Sequence, residues 1–344
     1  MNLIGHQKAA YEILTELFTP QTIMQSDTHR KICTWYIRFD VVAGILAGYE
    51  MVLGREWFVA CTDFYTLQAQ DRPNDLGAIF EERIAKSRLL ATDIALLFNR
   101  KAKNVLSDEA FATGVQSLGE QLVQVEHDIS AAFEGSREYV KEFPGAPAED
   151  LDPVTDWKDP NFLLAGDLFT WNFIKVDFLA IVLMYKSWMA GIDKSQPPHE
   201  IVDVAFRICK VFEAMQYASG NDDAVVLGAQ ASLGLAATCL PKDEKHTMWC
   251  RRKFARIESS GLVVTQRSCF GRLLTSFTVT STRTLCESAC RTCGTSMYRD
   301  GGCRSTKAIL QSYSPYANSL FTVRGILRIL FRRTYERCEA SSVL

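Results

Sequence analysis

Apolar positions along most of this chain recur at spacings of three and four. In "SDEAFATGVQSLGEQLVQVEHDISAAFEG" they are Phe111, Val115, Leu118, Leu122, Val125, Ile129 and Phe133. That spacing places them on one stripe of a long helix. Ser107 is the expected N-cap, with Asp108 and Glu109 favourable near the positive helix end. "DLGAIFEERIAKSRLLATDIALLFNRKAKN" repeats the pattern through Phe80, Ile84, Ala91, Ile94 and Phe98, and Glu82 and Lys86 are expected as an i,i+4 pair on its wet side.

Two stretches are apolar nearly all round. One runs from Thr34 to Phe58 and reads as a helix carrying the small residues Ala43, Gly44, Ala47 and Gly48. The other is "AVVLGAQASLGLAATCL", Ala224 to Leu240. Helices of this kind are buried on most sides, and small residues allow close approach, so at least two layers of helices are expected around them. The first stretch also holds Arg38, Asp40 and Glu50. An isolated buried charge costs several kcal/mol. Arg38 and Asp40 stand at i,i+2 and diverge, so each is expected to meet a partner on another helix (Lys175, Asp177, Arg252 or Lys253) or to lie at a wet edge.

The helices are interrupted by "KEFPGAPAEDLDPVTDWKDPNFL", with four prolines, and by "DKSQPPHE". "LPKDEKHTMWCRRKFARIESSG" reads as a final amphipathic helix with Trp249, Phe254 and Ile257 inward and Gly261 at C′. β-type alternation is scarce before Gly261. The expectation is an all-α, multi-helix domain over residues 1–261, followed by a largely irregular basic tail over 262–344.

Composition sharpens that division. The 344 residues are 47% hydrophobic and 23% charged, an ordinary globular mix. The net charge of −2 divides into roughly −13 up to Cys250 and roughly +11 beyond it. The tail is rich in Ser, Thr, Arg and Cys and reads as disordered, or as sequence from an intron or a shifted frame. Neither a secretory leader nor a bilayer-length uncharged run is visible, which leads to the expectation of a soluble intracellular protein without membrane contact.

Candidate chemistry is sparse. Of eleven cysteines, Cys33, Cys61, Cys209, Cys239 and Cys250 sit in apolar surroundings and read as packing residues. Cys286, Cys290, Cys293 and Cys303 have gaps sterically admissible for one zinc ion, but accumulation in a Cys-rich tail is the favoured reading. The five histidines form no helix-borne zinc pair, and nucleophile-elbow, Walker and dinucleotide-binding turns are missing. His246 reads as a helix-surface or packing residue. The acid pairs Glu81-Glu82 and Asp222-Asp223 are sequence neighbours, and the second suits a helix start. The arginines and lysine of "CRRKFAR" read as a solvated face. No cofactor and no enzymatic activity is expected.

Four segments, "WYIRFDVVAGILAGYEMVLGREWF", "FPGAPAEDLDP", "LFTWNFIKVDFLAIVLMYKSW" and "LPKDEKHTMWCRRKFARIESSG", together resemble the all-helical regulatory region of fungal-specific transcription factors of the zinc binuclear cluster family. The matching positions include Arg38, Phe39, Asp40, Gly48, Trp57, Trp249, Arg251, Arg252, Lys253 and Phe254. The resemblance covers residues 1–261 and implies a nuclear regulator of fungal genes. Its partners would be protein coregulators or a second copy, with a small-molecule effector as a further candidate. The family's six-cysteine DNA-reading cluster is not found in this sequence, so direct DNA binding is not expected of it. The alternatives are a helical enzyme or ligand-binding protein of unseen chemistry, and a fragment of a longer zinc cluster regulator.

Overall fold

The computed structural model describes residues 3–47, 51–131, 138–147, 154–159, 162–191 and 199–259. Among these it is all-α, with ten helices and an isolated bridge between Tyr139 and Leu164 in place of any strand. The tail beyond 261 lies outside the described residues, and so do Glu50, Gly48, Phe133, Gly261 and the four cysteines Cys286, Cys290, Cys293 and Cys303.

The described residues fall into two compact units, one within Met1–Phe39 and one within Asp40–Ser281. In the first, α1 (Leu3–Leu17) is followed by the short α2 (Pro20–Ile23) and the opening turns of α3 (Asp27–Ala47). Thr19 and Thr22 form a reciprocal capping box that starts α2, with Pro20 at a position where its missing N–H costs nothing. Tyr36 donates its hydroxyl hydrogen to the Gln7 carbonyl at 2.8 Å, joining α3 to α1. Phe39 stacks on Trp35 one turn earlier.

The second unit holds the end of α3, then α4 (Arg55–Asp71), α5 (Leu76–Ala102), α6 (Asp108–Ala131), α7 (Trp171–Gly191), α8 (His199–Ala218), α9 (Asp223–Cys239) and α10 (Glu244–Ser259). The caps explain several starts. Asp75 accepts from the Gly77 and Ala78 amides at α5, and Ser107 accepts from the Ala110 amide at α6 as the sequence led us to expect. At α9 Asp222 takes the Ala224 amide, which confirms the helix-start reading of Asp222-Asp223. The stripe of α6 is inward at Phe111, Leu118, Leu122 and Ile129.

Helix α7 packs against α5, α6, α8 and α9. By length and composition it is apolar enough to cross a membrane. More than half of that stretch is covered by its neighbours, as a central core helix must be. The small residues of α9 serve close approach: a Cβ on Gly228 would come within 2.5 Å of the Phe173 ring on α7. Asn172, 1% exposed, fixes the first turn of α7. Its amide nitrogen donates to the Leu164 and Phe169 carbonyls and its oxygen accepts from the Leu164 amide.

Two expectations are corrected. The apolar stretch from Thr34 to Phe58 is not one helix: residues 51–54, ahead of the start of α4 at Arg55, are non-helical. The cause is Asp40. It is 0% exposed, and its two carboxylate oxygens accept from the Val52 and Leu53 amides at 3.0 Å each. Two charge-assisted bonds to backbone hold the chain in a turn ahead of α4, so the buried carboxylate ties down a turn's amides and does not lie at a wet edge. The Glu82–Lys86 pair does form, at 2.7 Å. Glu82 is only 8% exposed, however, because α5 is covered by other helices on that side too.

Asp40→Ala should strip both amides of their acceptor and lower stability by about 2–4 kcal/mol. Urea unfolding followed by circular dichroism checks this; a variant as stable as the parent would show that the turn does not depend on the carboxylate.

Candidate functional site

The densest buried polar constellation is centred on Glu213 of α8. Ile201, Val204, Ala205, Ile208, Phe212 and Met215 make α8 apolar along its length, and Glu213 lies among them at 2% exposure. Facing it is Lys253 of α10, at 6% exposure. Trp249, Lys253 and Ile257 stand at i, i+4 and i+8, so the lysine occupies the inward stripe of an otherwise polar helix.

The contacts engage both groups heavily. Glu213 Oε1 receives Lys253 Nζ at 2.6 Å, the Tyr217 hydroxyl at 3.1 Å and the Trp249 indole N–H at 3.1 Å. Its Oε2 receives the Thr155 hydroxyl at 2.6 Å. Lys253 Nζ also donates to Gln216 Oε1 at 3.1 Å and to the Tyr217 hydroxyl oxygen at 2.8 Å. An ammonium has three hydrogens, and three acceptors stand around this one. Its charge also lies 4.5 Å from the Tyr217 ring centroid and 5.4 Å from that of Trp249, adding cation–π attraction.

The network extends into the proline-rich connection. Trp157 meets the Tyr217 ring edge-on at 4.6 Å, and Phe143 packs on Trp157. Gln216 Nε2 donates to Asn221 Oδ1, and Asn221 Nδ2 donates to the Gly145 carbonyl at 2.9 Å. The Gly145 amide donates to the Tyr217 carbonyl. A Cβ on Gly145 would fall within 3.0 Å of Asn221 and Gly220 backbone atoms, so this glycine permits the close approach. The turn it meets is tight, with Gly220 and Asn221 both at positive φ. Arg256 closes the rim through the Asn221 carbonyl and Asp223.

Chemically, this arrangement holds rather than reacts. The carboxylate accepts four hydrogen bonds and the ammonium donates three, so transferring a proton would first require breaking several bonds in a low-dielectric interior. Its energetic role is registry: α8, α10 and the connection meet in one arrangement that satisfies all of these groups.

The positions that carry the resemblance have diverse roles. Trp249 and Lys253 are brought together here, and Phe254 is half-buried one residue on. Arg251 and Arg252 are exposed on the opposite side of α10. "CRRKFAR" is therefore not a uniformly wet face, because Lys253 turns inward to Glu213. Trp57 is buried in α4, and Asp40 secures the turn before it. Arg38 lies half-buried on α3 and Phe39 on Trp35. Of the residues proposed as partners for Arg38 and Asp40, Lys253 is paired with Glu213, and Asp177 accepts from Ser232.

Cys209 and Cys250 are buried, which drives Cys209 well above the usual thiol range and Cys250 up to about 11, so both stay protonated at neutral pH. This agrees with their reading as packing residues. His246 sits at the start of α10, its Nδ1 2.7 Å from both Asp243 oxygens. The His246 amide and ring together hold the Asp243 carboxyl below its ordinary value. Among the described residues no cluster of His, Cys, Asp or Glu is arranged to hold a metal.

Sequence reasoning missed Glu213. The signal was present: a lysine on the inward stripe of α10 requires a buried counter-charge, and a glutamate within "KVFEAMQYA" supplies one. No protein-family model, no curated protein and no solved structure matches the chain.

Lys253→Met should cost about 3–5 kcal/mol by stranding Glu213. Adding Glu213→Leu should recover part of that loss, with a coupling of about 1–3 kcal/mol in a double-mutant cycle. Additive losses from the two substitutions would show that the pair does not act as a unit.

Proposed function

We propose that this chain is a helical regulatory module of the kind that fungal zinc cluster transcription factors carry, acting by recognition and not by chemistry. One observation carries the reading. The inward residues of one of the four segments that carry the resemblance, Trp249 and Lys253, spend their polar atoms on the buried Glu213 network, which joins α8, α10 and the proline-rich connection. Such residues specify a rigid body on which helix faces can be displayed. A general acid or base would need an open side toward a substrate, and this buried carboxylate already accepts four hydrogen bonds from within.

The partners consistent with this reading are a coregulator protein or a second copy of the chain, bound through helix faces in the nucleus. Target DNA would be read by a separate zinc cluster. No residue set in the described helices matches a DNA-reading helix supported by an aromatic platform.

The reading is tested by fusing the full chain to a heterologous DNA-binding domain in a fungal cell carrying a matching reporter. The expected outcome is reporter output changed several-fold relative to the DNA-binding domain alone. The double substitution Glu213→Leu with Lys253→Met, which keeps a packed core, should retain the effect, and Lys253→Met alone should weaken it. A well-expressed nuclear fusion that leaves the reporter at the control level would remove the proposal.

A further inference from the structure

A second polar cluster lies apart from the Glu213 network, at the seam between α7 and α8. Lys175 of α7 is partly buried, with its ammonium 3.9 Å from the centroid of the Phe162 ring. Its one hydrogen bond among the described residues is a long one, 3.4 Å, to the Phe162 carbonyl. No described carboxylate stands within ion-pair distance of it. Lys210 of α8 reaches the same ring, 4.5 Å from the centroid, and pairs with Asp159 at 3.2 Å. Arg207, one turn earlier on α8, pairs with Glu126 of α6 at 3.3 Å.

The charged groups that act on Lys175 are thus Arg207 and Lys210 from α8 and Asp159 from the connection. Asp177, on its own helix, is engaged with Ser232. Asp159 and Glu126 are each paired with a cation other than Lys175. Burial first, and then the neighbouring Arg207 and Lys210, bring Lys175 down to about 8. An appreciable fraction of its amine is therefore neutral and nucleophilic near neutral pH.

We infer that Lys175 is a reactive amine that condenses with small aldehydes bearing a phosphate or carboxylate group, recruited by Arg207 and Lys210. The half-exposed Arg207 and the more buried Lys210 attract the anionic group to the mouth of the cluster. The Phe162 ring provides a flat apolar floor beside the amine. The neutral nitrogen attacks the carbonyl carbon, forming a carbon–nitrogen bond. The carbonyl oxygen leaves as water with the two amine hydrogens, and an imine remains. No oxidant or reductant is needed. The site concerns the purified chain alone, and its outcome is independent of whether the module regulates transcription.

The test uses the full-length chain and pyridoxal 5′-phosphate, an aldehyde that carries a phosphate, with borohydride to trap the imine and peptide mass spectrometry to locate it. Lys175 should be modified ahead of the exposed Lys8 and Lys245, with a rate that rises as pH passes through about 8. Pyridoxal, which lacks the phosphate, should react at least about tenfold more slowly at Lys175, as expected when an attracting cation pair has nothing to hold. Inorganic phosphate should compete. Arg207 is half-exposed, so Arg207→Gln should fold normally; it should bring the rate with the phosphate aldehyde down toward that of pyridoxal. Modification spread evenly over surface lysines would overturn the inference. Equal rates for the two aldehydes, or an Arg207→Gln protein that reacts like the parent, would do the same.

Discussion

The second unit of this protein depends on a buried ion pair. Glu213 and Lys253 lie 2.6 Å apart with almost no access to water. Desolvating two such charges costs more than their attraction alone returns unless the remaining lone pairs and hydrogens are also satisfied. Tyr217, Trp249, Thr155 and Gln216 satisfy them. The pair is therefore tolerated in one geometry of α8, α10 and the connection, and small displacements of any of the three would expose an uncompensated charge. Apolar packing around Phe212, Met215 and Leu233 drives burial without choosing between similar helix registers. The polar network does choose.

The same logic recurs at smaller scale. Asp40 holds two amides of the turn between α3 and α4, and Asn172 uses both ends of its amide on the backbone before α7. Tyr185 donates to the Val115 carbonyl and so joins α7 to α6. In each case a buried polar group marks the place where a helix face alone would leave the chain path undetermined. A body organised in this way has its helix registers fixed from within. The Lys175 cluster differs in kind. Among the described residues its ammonium has an aromatic ring and a weak carbonyl contact in place of a carboxylate partner.

Much of the helical fold was legible in the chain because helix faces have a period that residues three and four apart can reveal. The stripes of α5 and α6, the Ser107 cap, the Asp222 start and the inward Trp249 and Ile257 all follow from local spacing. The stretch from Thr34 to Phe58 was misread because an all-apolar run carries no phase: nothing local says where such a helix stops. Asp40 stops the continuation through amides twelve and thirteen residues away. Glu82 was placed on the wet side because its i,i+4 pairing with Lys86 is a surface habit, whereas α5 is covered on that side as well.

What the sequence determined by itself is the all-α class and the inward stripes of α5, α6 and α10, since these depend on interactions within a turn or two. Tertiary structure decided which charges are buried and what neutralises them. Glu213 meets Lys253 across 40 residues of chain, and Lys175 meets Lys210 over one ring supplied by a loop. Such pairings arise only when separate helices are brought side by side, because the dielectric and the partners that set a charge's cost do not exist along the isolated chain.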